Sequence, residues 1–408
     1  MPVAIAPTPS DAPVGQQKKG APDQVAAIPF ARSSKWHVEQ ANNQTGIVIN
    51  TAVPGTFNFP LPSYGYLSAV IITLNATGGT GTAAVYYEDA PWSIIGNITL
   101  SDVNGVPIFQ LPGYSAFLAA KFGGYRLFST DNSTTLYGPT TSSTTGAAMG
   151  AIGNNMLYDL GTSGNFAATL PIFLEFGRDG LGALPNMDAS ARYNLQIQLN
   201  SGTAAANVGP LYTTAPSGYP TLSIGVEVLC RSQPPAADLY GNANSITPPA
   251  VGTVNYWSQQ TFSTLSGAQT LQLSRVGNSI RNHIVIFRDT VASTPTRAQA
   301  ELADMPTLFQ FNWDTGVRYV AYTSTLRAIS YMSMGYDVPK GVIAFPNTLD
   351  PDKIAISEFG DEWMTTVGAT KLGLQFTPLS SVNMTVLTND LVPASAAVYS
   401  APMLSGGY

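Results

Sequence analysis

Four residues toward the C-terminal end of the chain have the types and spacing of a hydrolytic site. Glu358, Asp361 and Glu362 lie close together beside Trp363. Two carboxylates next to an aromatic ring are what a glycoside hydrolase uses to protonate and displace a sugar. Asp361 and Glu362 directly follow Gly360, however, and acidic residues at that place are typical of the first turn of a short helix, where they interact favourably with the helix dipole. We therefore assign no catalytic residue and expect a protein that is not an enzyme.

Residues that bind transition metals are few. The single cysteine, Cys230, and the two histidines, His37 and His283, are far apart in the sequence. A structural zinc site needs four such ligands, so their number alone excludes one. Cys230 ends a mostly apolar run and is predicted to be a small buried hydrophobe. Asp350 and Asp352 could begin a calcium loop, but a proline separates them and no further acids lie close by. We expect no metal and no cofactor.

The charge balance argues against specific binding of nucleic acid. Lys and Arg number 18 against 24 Asp and Glu, for a net charge of −6, whereas nucleic-acid binding needs clustered cations. The GxxxxGK[S/T] phosphate loop is also missing from the sequence. A small basic group before residue 43, offset by three acids, could touch an anionic surface or clasp a neighbouring subunit. This group consists of Lys18, Lys19, Arg32 and Lys35.

The composition predicts a turn-rich protein with a substantial core. Charged residues make up 10% of the 408 residues, against about 25% in an ordinary soluble domain. Hydrophobic residues reach 44%, with 38 glycines and 30 prolines. Few charges combined with many apolar residues exclude a disordered chain, and the residue usage is not that of a coiled coil. With so few charged residues, uncharged side chains must form most of this protein's surface.

Short β-branched and aromatic runs, separated by turn residues, predict an all-β fold. Such runs recur from Gly46 to Cys230 at the spacing of a sandwich or barrel and give about eight strands. Ser232 to Gly252 contains two Pro-Pro pairs, which cannot lie inside a sheet, and a second set of about eight strands follows it. The predicted organisation is an N-terminal arm (1–43), a first sandwich (44–231), a Pro-rich linker (232–252) and a second sandwich (253–408).

The two sets of strands resemble each other. Asn97 to Tyr125 overlays Leu308 to Tyr336 without a gap, and in each segment two strands around a glycine-containing turn precede a run at helical spacing. GTFNFPLPSYG from Gly55 also matches GAQTLQLSRVG from Gly267, and LQIQL at 195–199 matches LGLQF at 372–376. We infer a duplicated domain with a short helix in each copy. The identical residues of the long overlay are Gly105, Val106, Gly124 and Tyr125 in the first copy and Gly316, Val317, Gly335 and Tyr336 in the second.

Two long stretches between predicted strands, 129–168 and 200–219, are polar but almost uncharged. Loops of this length are uncommon in compact domains unless they serve a function or pack on a neighbour. Thr, Ser and Asn form hydrogen bonds without the desolvation cost of a charge. The stretches therefore suit burial against another copy of the protein, with an exposed surface loop as the alternative.

Taken together, this organisation resembles that of the double jelly-roll major capsid proteins of tailless icosahedral viruses, the lineage of tectiviruses and adenoviruses. The features in common are two successive sandwiches, a helix after a mid-domain strand in each, long loops, a Pro-rich joint and an N-terminal arm. The resemblance covers residues 44–408 and lies in architecture and composition. The run DAPWSIIGNITLSDVNGVPIFQLPGYSAFLAAKFGGY, Asp89 to Tyr125, is also similar to segments of predicted phage capsid proteins of this type.

This resemblance implies two tandem eight-stranded jelly rolls and a structural protein of a virion. It implies a homotrimer of pseudo-hexagonal outline that tiles an icosahedral shell, with the arm facing inward and the loops facing outward. The implied partners are further trimers, penton or minor capsid proteins and, in some shells, an internal membrane. The protein would pass from the host cytoplasm into the virion of a bacteriophage.

Two other functions stay open at the level of sequence. A carbohydrate-binding or adhesin protein could also be built from tandem β-sandwiches, and it should expose aromatic and acidic residues on one face and bind sugar as a monomer. A β-sandwich enzyme would depend on Glu358, Asp361 and Glu362. Such an enzyme should lose its activity when these three acids are changed to amides.

Overall fold

A computed structural model describes most of the chain. The described residues are 27–50, 52–81, 84–123, 136–137, 158–175, 180–201, 211–249, 253–290, 305–334, 338–346 and 364–393. The first half of the molecule is taken as residues 36–231 and the second half as residues 253–393. Nearly all regular structure in both halves is antiparallel sheet.

The first half contains two sheets that face each other across a core. Helix α1 (Phe30–Ser33) precedes this half, whose elements are β1 (Trp36–Val48), β2 (Gly55–Pro60), β3 (Tyr66–Thr77), β4 (Val85–Tyr86), β5 (Ile95–Ser101), β6 (Pro107–Leu111), α2 (Gly113–Phe122), β7 (Leu136–Tyr137), β8 (Tyr158–Leu160), β9 (Phe166–Phe173), β10 (Leu184–Pro185), β11 (Asn194–Leu199), β12 (Tyr212–Thr214) and β13 (Thr221–Arg231). The large sheet has the order β1-β13-β3-β9-β8, with β10 added to β3, and the small sheet has the order β2-β11-β5-β6.

The second half repeats the order of the main strands of the first half. Its elements are β14 (Thr253–Leu265), β15 (Gln269–Leu273), β16 (Ser279–Asp289), β17 (Leu308–Trp313), β18 (Gly316–Tyr322), α3 (Thr323–Met334), β19 (Val338–Pro339), β20 (Val342–Pro346), β21 (Met364–Thr365), β22 (Leu372–Phe376) and β23 (Val382–Pro393). The large sheet has the order β14-β23-β16-β20, with β21 added to β16, and the small sheet has the order β15-β22-β17-β18. The prediction of two all-β sandwiches, each with a short helix, is confirmed.

Alternation along the strands builds one core in each half. In β13 the residues Leu222, Ile224, Val226 and Val228 are buried, whereas the residues between them are partly exposed. Side chains of a strand alternate between the two faces of the sheet, so every second residue reaches the space between the sheets. In the second half the same space is filled by residues such as Phe287.

Both halves carry a β-bulge at the same place. Ser68 is the extra residue of β3 in its pairing with β13, and Arg281 is the extra residue of β16 in its pairing with β23. Each of these residues follows directly after the two positions that pair with the short extra strand, β10 or β21. Bulges are retained within families because they direct side chains. The shared bulge therefore aligns the large sheets of the two halves residue by residue.

Strand β1 begins at Trp36, within the segment 1–43 that is predicted to be an arm. Residues 36–43 pair with β13 but contain no buried side chain, and Ile47 is the one buried residue of β1. A strand that buries none of its side chains lacks the alternation from which strands are predicted. Over its described part, 232–249, the predicted linker contains isolated bridges but no strand.

The ladders also correct one of the sequence overlays. Ile98 and Phe309, which the long overlay equates, pair with Ile197 and Phe376. The match of LQIQL with LGLQF is therefore displaced by two residues, because Ile197 corresponds to Phe376 rather than to Leu374. A displacement of two keeps the same side chains on the buried face, so it leaves no trace in the hydrophobic pattern.

Candidate functional site

The most elaborate constellation of side chains lies where the two halves meet, around helix α2. Helical spacing predicts one buried face for this helix, yet all ten of its residues are buried. The helix packs on β5 and β9 of its own half, and it also contacts β16 of the second half. The second half thus covers the face that a surface helix would expose to water.

Trp257 of β14 occupies the centre of this junction. It is buried, and together with Phe109 of β6, Ala116, Ala119 and Ala120 of α2 and residues 171–173 of β9 it lines one small cavity. The cavity between these side chains has a volume of only about 10 Å³. Three alanines on one face of the helix leave room for the large indole ring, so small and large side chains interlock.

Polar side chains of the second half satisfy the end of α2. The Asn282 amide donates to the Phe122 carbonyl at 2.7 Å, and the Arg281 guanidinium donates to the Gly123 carbonyl at 3.2 Å. The last carbonyls of a helix have no partner within the helix, and a cation beside them interacts favourably with the helix dipole. The guanidinium also donates to Asn389 at 3.0 Å. The bulge in β16 thus places Arg281 where α2 ends.

Two ion pairs join the halves on one side of this helix. Arg288 of β16 lies 2.6 Å from the Asp89 carboxylate, and Lys340 lies 3.3 Å from the Glu88 carboxylate. Three of these four residues are buried outright and Glu88 is nearly so. Burial, together with the neighbouring carboxylates, raises the pKa of Tyr87, so its phenol stays protonated. The junction thus combines apolar packing with paired charges, as in a permanent interface.

The predicted basic group lies only partly within the described residues. Lys18 and Lys19 lie outside them. Arg32 is exposed in α1, and Lys35 is exposed just before β1. The Lys35 backbone N–H donates to the Ser232 hydroxyl at 2.9 Å, so this segment is attached to the start of the linker.

Two of the four predicted repeat pairs lie within the described residues, and their members do not occupy equivalent places. Gly105 lies in the turn before β6 with φ of +79°, a conformation that favours glycine, whereas Gly316 is the first residue of β18. In the first half the last ladder pair before the turn is Ser101 with Pro107, and five residues lie between them. In the second half the corresponding pair is Asn312 with Val317, and four residues lie between them, so this connection is one residue shorter. Val106 and Val317 are therefore displaced as well, and Gly124, Tyr125, Gly335 and Tyr336 lie outside the described residues.

The residues considered for chemistry form no joint site within the described part of the chain. Cys230 is buried, and its thiol lies 3.9 Å from the Asn186 amide. His283 is buried in β16, and His37 lies at the surface 3.5 Å from Glu39. Among the described residues no cluster of three or more His, Cys, Asp or Glu is arranged to hold a metal ion. The acids Asp350, Asp352, Glu358, Asp361 and Glu362, with Trp363, lie outside the described residues.

Sequence reasoning missed Asp89, Trp257, Arg281 and Arg288, the residues that make the junction. A signal was present in β16, whose apolar run IVIF stands between Arg281 and Arg288. In a chain with so few charges, two arginines inside a predicted core strand indicate that the outer face of its sheet is covered by protein. None of the described helices is both long and apolar enough to cross a membrane.

Comparison with known proteins finds similarity in structure alone. No protein-family model matches the chain, and no curated protein sequence matches it. The major capsid protein of STIV, the Sulfolobus turreted icosahedral virus, matches with a TM-score of 0.57 and 11% identity over 90% of this chain and 99% of that chain.

Two further structures agree with this match. The PBCV-1 virus capsid matches with a TM-score of 0.54 and 14% identity over 88% of this chain and 94% of that chain. The major capsid protein P2 from bacteriophage PM2 matches with a TM-score of 0.50 and 9% identity over 89% of this chain and 99% of that chain. In all three the similarity extends through both halves. The chain therefore has the double jelly-roll fold of the major capsid proteins of icosahedral viruses.

Proposed function

We propose that this chain is a major capsid protein that forms trimeric, pseudo-hexagonal capsomers in the shell of an icosahedral virion. The observation that carries the proposal is the fold, which matches capsid proteins over nearly the whole length of both chains. A structural role also accords with the residues at the junction, which bind the halves to each other rather than face an open cleft. The protein is then a building block of the virion and not an enzyme.

The duplication supports a hexagonal shape. Each chain carries two halves of the same topology, so three chains arranged in a ring present six similar sides. Heterologous contacts between identical subunits close into a ring when the rotation between neighbours allows it. The low charge of the chain, 10% of its residues, agrees with extensive contacts between copies, because the cores of interfaces are depleted in charged residues.

The arm, the linker and the partners complete the proposal. We take residues 1–35 as an arm, 36–231 as the first jelly roll, 232–252 as the linker and 253–408 as the second jelly roll. Lys18, Lys19, Arg32 and Lys35 contact neighbouring subunits or an internal layer of the particle. Penton or minor capsid proteins, and an internal membrane, are the further partners, and the protein passes through the host cytoplasm before assembly. A phage origin stays a prediction, because the similar structures come from PM2, a bacteriophage, and from other viruses.

Light scattering of the purified chain, with negative-stain images of the same peak, tests this function. We expect a mass of three times 42.9 kDa and particles of hexagonal outline. A chain that stays monomeric at all concentrations up to those of assembly would contradict the proposal. Binding of a glycan array by such a monomer would favour the carbohydrate-binding alternative instead.

A further inference from the structure

Each half of the molecule carries the two surfaces that meet at the junction, but the chain uses only one of each. The first half contributes β6 and α2, and the second half contributes the outer face of its large sheet, with Trp257 at the centre. The second half has its own hairpin strand and helix, β18 and α3. The first half has its own large sheet. Within the part of the chain that the structure describes, β18 and the first residues of β1 stay largely exposed to solvent.

The uncovered helix-bearing surface is more exposed than its covered counterpart. Both helices begin directly after the hairpin, so Gly113 corresponds to Thr323 and Ala119 to Ile329. Ala119 is 4% exposed against Trp257, whereas Ile329 is 43% exposed. Every residue of β18 is exposed or only half-buried, while three of the five residues of β6 are buried. We call this surface the plug. Its exposed residues include Arg318, Val320, Tyr322 and Ile329.

The uncovered sheet surface lies on the outer face of β1, β13 and β3. The shared bulge equates Leu229 of β13 with Asn389 of β23, and their ladder partners on the edge strands are Val38 and Trp257. Val38 is 56% exposed, whereas Trp257 is 2% exposed. Trp36, two residues before Val38 in β1, is 52% exposed. The Arg231 guanidinium lies over the Trp36 ring, 3.8 Å from the ring centre.

The other positions of this sheet surface follow the same correspondence. Ile71 takes the place of Ile284 and is half-buried, whereas Ile284 is fully buried at the junction. We call this surface the socket. Its residues are Trp36, Val38, Ile71, Glu227 and Leu229.

We propose that the plug of one chain docks into the socket of a second copy, in the arrangement that α2 and β14 already adopt within one chain. This inference rests on the proposed function and names the surfaces by which its trimer closes. Plug and socket both lie on edge strands, since β18 and β1 end their sheets, and edge strands left open invite pairing with another chain. Both surfaces expose large apolar side chains. Their charged members, Arg318 and Glu227, have opposite signs, as complementary interfaces require.

The first test introduces opposite charges at two positions that should meet. Because Ala119 and Trp257 line one cavity, their counterparts Ile329 and Val38 should be neighbours across two chains. Val38→Glu alone and Ile329→Lys alone should each weaken the trimer at least about tenfold, as expected for a central interface contact. The double variant should recover most of the loss, because the two charges then pair. Leu239→Lys, at a 99% exposed position outside both surfaces, should leave the trimer unchanged.

A covalent test uses the same two positions. The variant that carries both Val38→Cys and Ile329→Cys should give, with a short bis-maleimide, a product of three linked chains and none larger, since a closed ring has no free end. Each single variant should remain unlinked. The native thiol does not interfere, because burial raises the pKa of Cys230 to about 11 and the residue is inaccessible.

The outcomes separate this inference from the proposed function. If the wild-type chain is a trimer and both charge variants are trimers of equal stability, the plug and socket are wrong while the capsid assignment stands. Cross-linking that stops at two chains would also overturn the inference, because it indicates a contact between identical patches. A wild-type chain that never trimerises overturns the proposed function, and the inference with it. Circular dichroism of each variant checks that the sandwiches are folded.

Discussion

At the scale of single residues, the junction depends on charges that the chain places where they cannot be solvated. Burying an ion is costly unless a partner of opposite charge lies within contact distance. Asp89 and Arg288 are both buried and meet at 2.6 Å. The same guanidinium lies 5.7 Å from the centre of the Tyr114 ring on α2. One arginine of the second half thus contacts both a loop and the helix of the first half.

Replacing one partner of this ion pair should destabilise the chain. Asp89→Ala leaves the Arg288 charge unpaired in a buried place, so the free energy of unfolding should fall by about 3–5 kcal/mol. Urea unfolding followed by tryptophan fluorescence measures this change. The double variant Asp89→Leu with Arg288→Met should recover most of the loss, since no charge is then left without a partner.

An exposed contact between a histidine and a carboxylate provides the control for this prediction. His37 and Glu39 meet at the surface of β1, with about half of each side chain exposed. Glu39→Ala should change the free energy of unfolding by no more than about 0.5 kcal/mol. If Asp89→Ala had an effect as small as this, the junction would have to open to water, contrary to the structure.

At the scale of elements, helices α2 and α3 follow the hairpin in the same way in the two halves but differ in burial. Helix α2 begins with Gly113, packed closely against the backbone carbonyl of Trp92 and the side chain of Ile95. Trp92 in turn stacks on Phe117 with ring centres 5.1 Å apart. Helix α3 packs on β20 with one face and exposes the other. The burial of each helix follows from its neighbours rather than from its own sequence.

A substitution that usually stabilises a helix should therefore destabilise α2. Ala is preferred to Gly in helices by up to about 1 kcal/mol, but a Cβ atom at Gly113 would collide with the Trp92 carbonyl, which is backbone and cannot rotate away. We expect Gly113→Ala to lower the free energy of unfolding by about 1–3 kcal/mol. Thermal unfolding followed by circular dichroism measures it.

Helix α3 offers the control for this substitution. Thr325 lies on the exposed face of α3, so Thr325→Ala should raise stability by a few tenths of a kcal/mol, as intrinsic propensity predicts. A gain in stability from Gly113→Ala would show that the contact with Trp92 is looser than the structure has it.

At the scale of the whole molecule, the duplicated fold means that one kind of contact can recur six times around a ring. Within the chain this contact is dominated by buried apolar residues such as Trp257, with ion pairs at its side. The surfaces proposed to meet between chains are apolar as well, with Trp36 and Val38 facing Val320 and Ile329. An assembly held in this way owes its stability mainly to apolar burial, which salt does not weaken.

The proposed trimer should therefore persist at high ionic strength. At about 1 M salt the screening length falls to about 3 Å, and contacts between exposed charges are largely lost. We expect the mass measured by light scattering to be the same at low salt and at about 1 M NaCl. Dissociation at high salt would instead indicate that basic residues such as Lys18 and Lys19 hold the chains together.

Much of the fold could be predicted from the sequence because strands leave a local signal. Strand β17, Leu308–Trp313, carries such a signal, since its alternating Phe309 and Phe311 mark a strand with one buried face. The duplication could be inferred as well, because the spacing of strands and helix survives where identities do not. The residues of the candidate site could not be predicted, because Asp89 and Arg288 are far apart in the sequence and only the packed halves bring them together.

By itself, then, the amino-acid sequence determined the class of fold, the division into two sandwiches and the scarcity of catalytic and metal-binding groups. Those properties depend on composition and on patterns within a few residues. Only the tertiary structure decided where β1 begins, which residues of the two halves are equivalent, and that all of α2 is buried while α3 is not. These properties depend on pairing and packing between distant segments. A shift of two residues in a ladder, or a second layer over a helix, leaves the local pattern of a sequence unchanged.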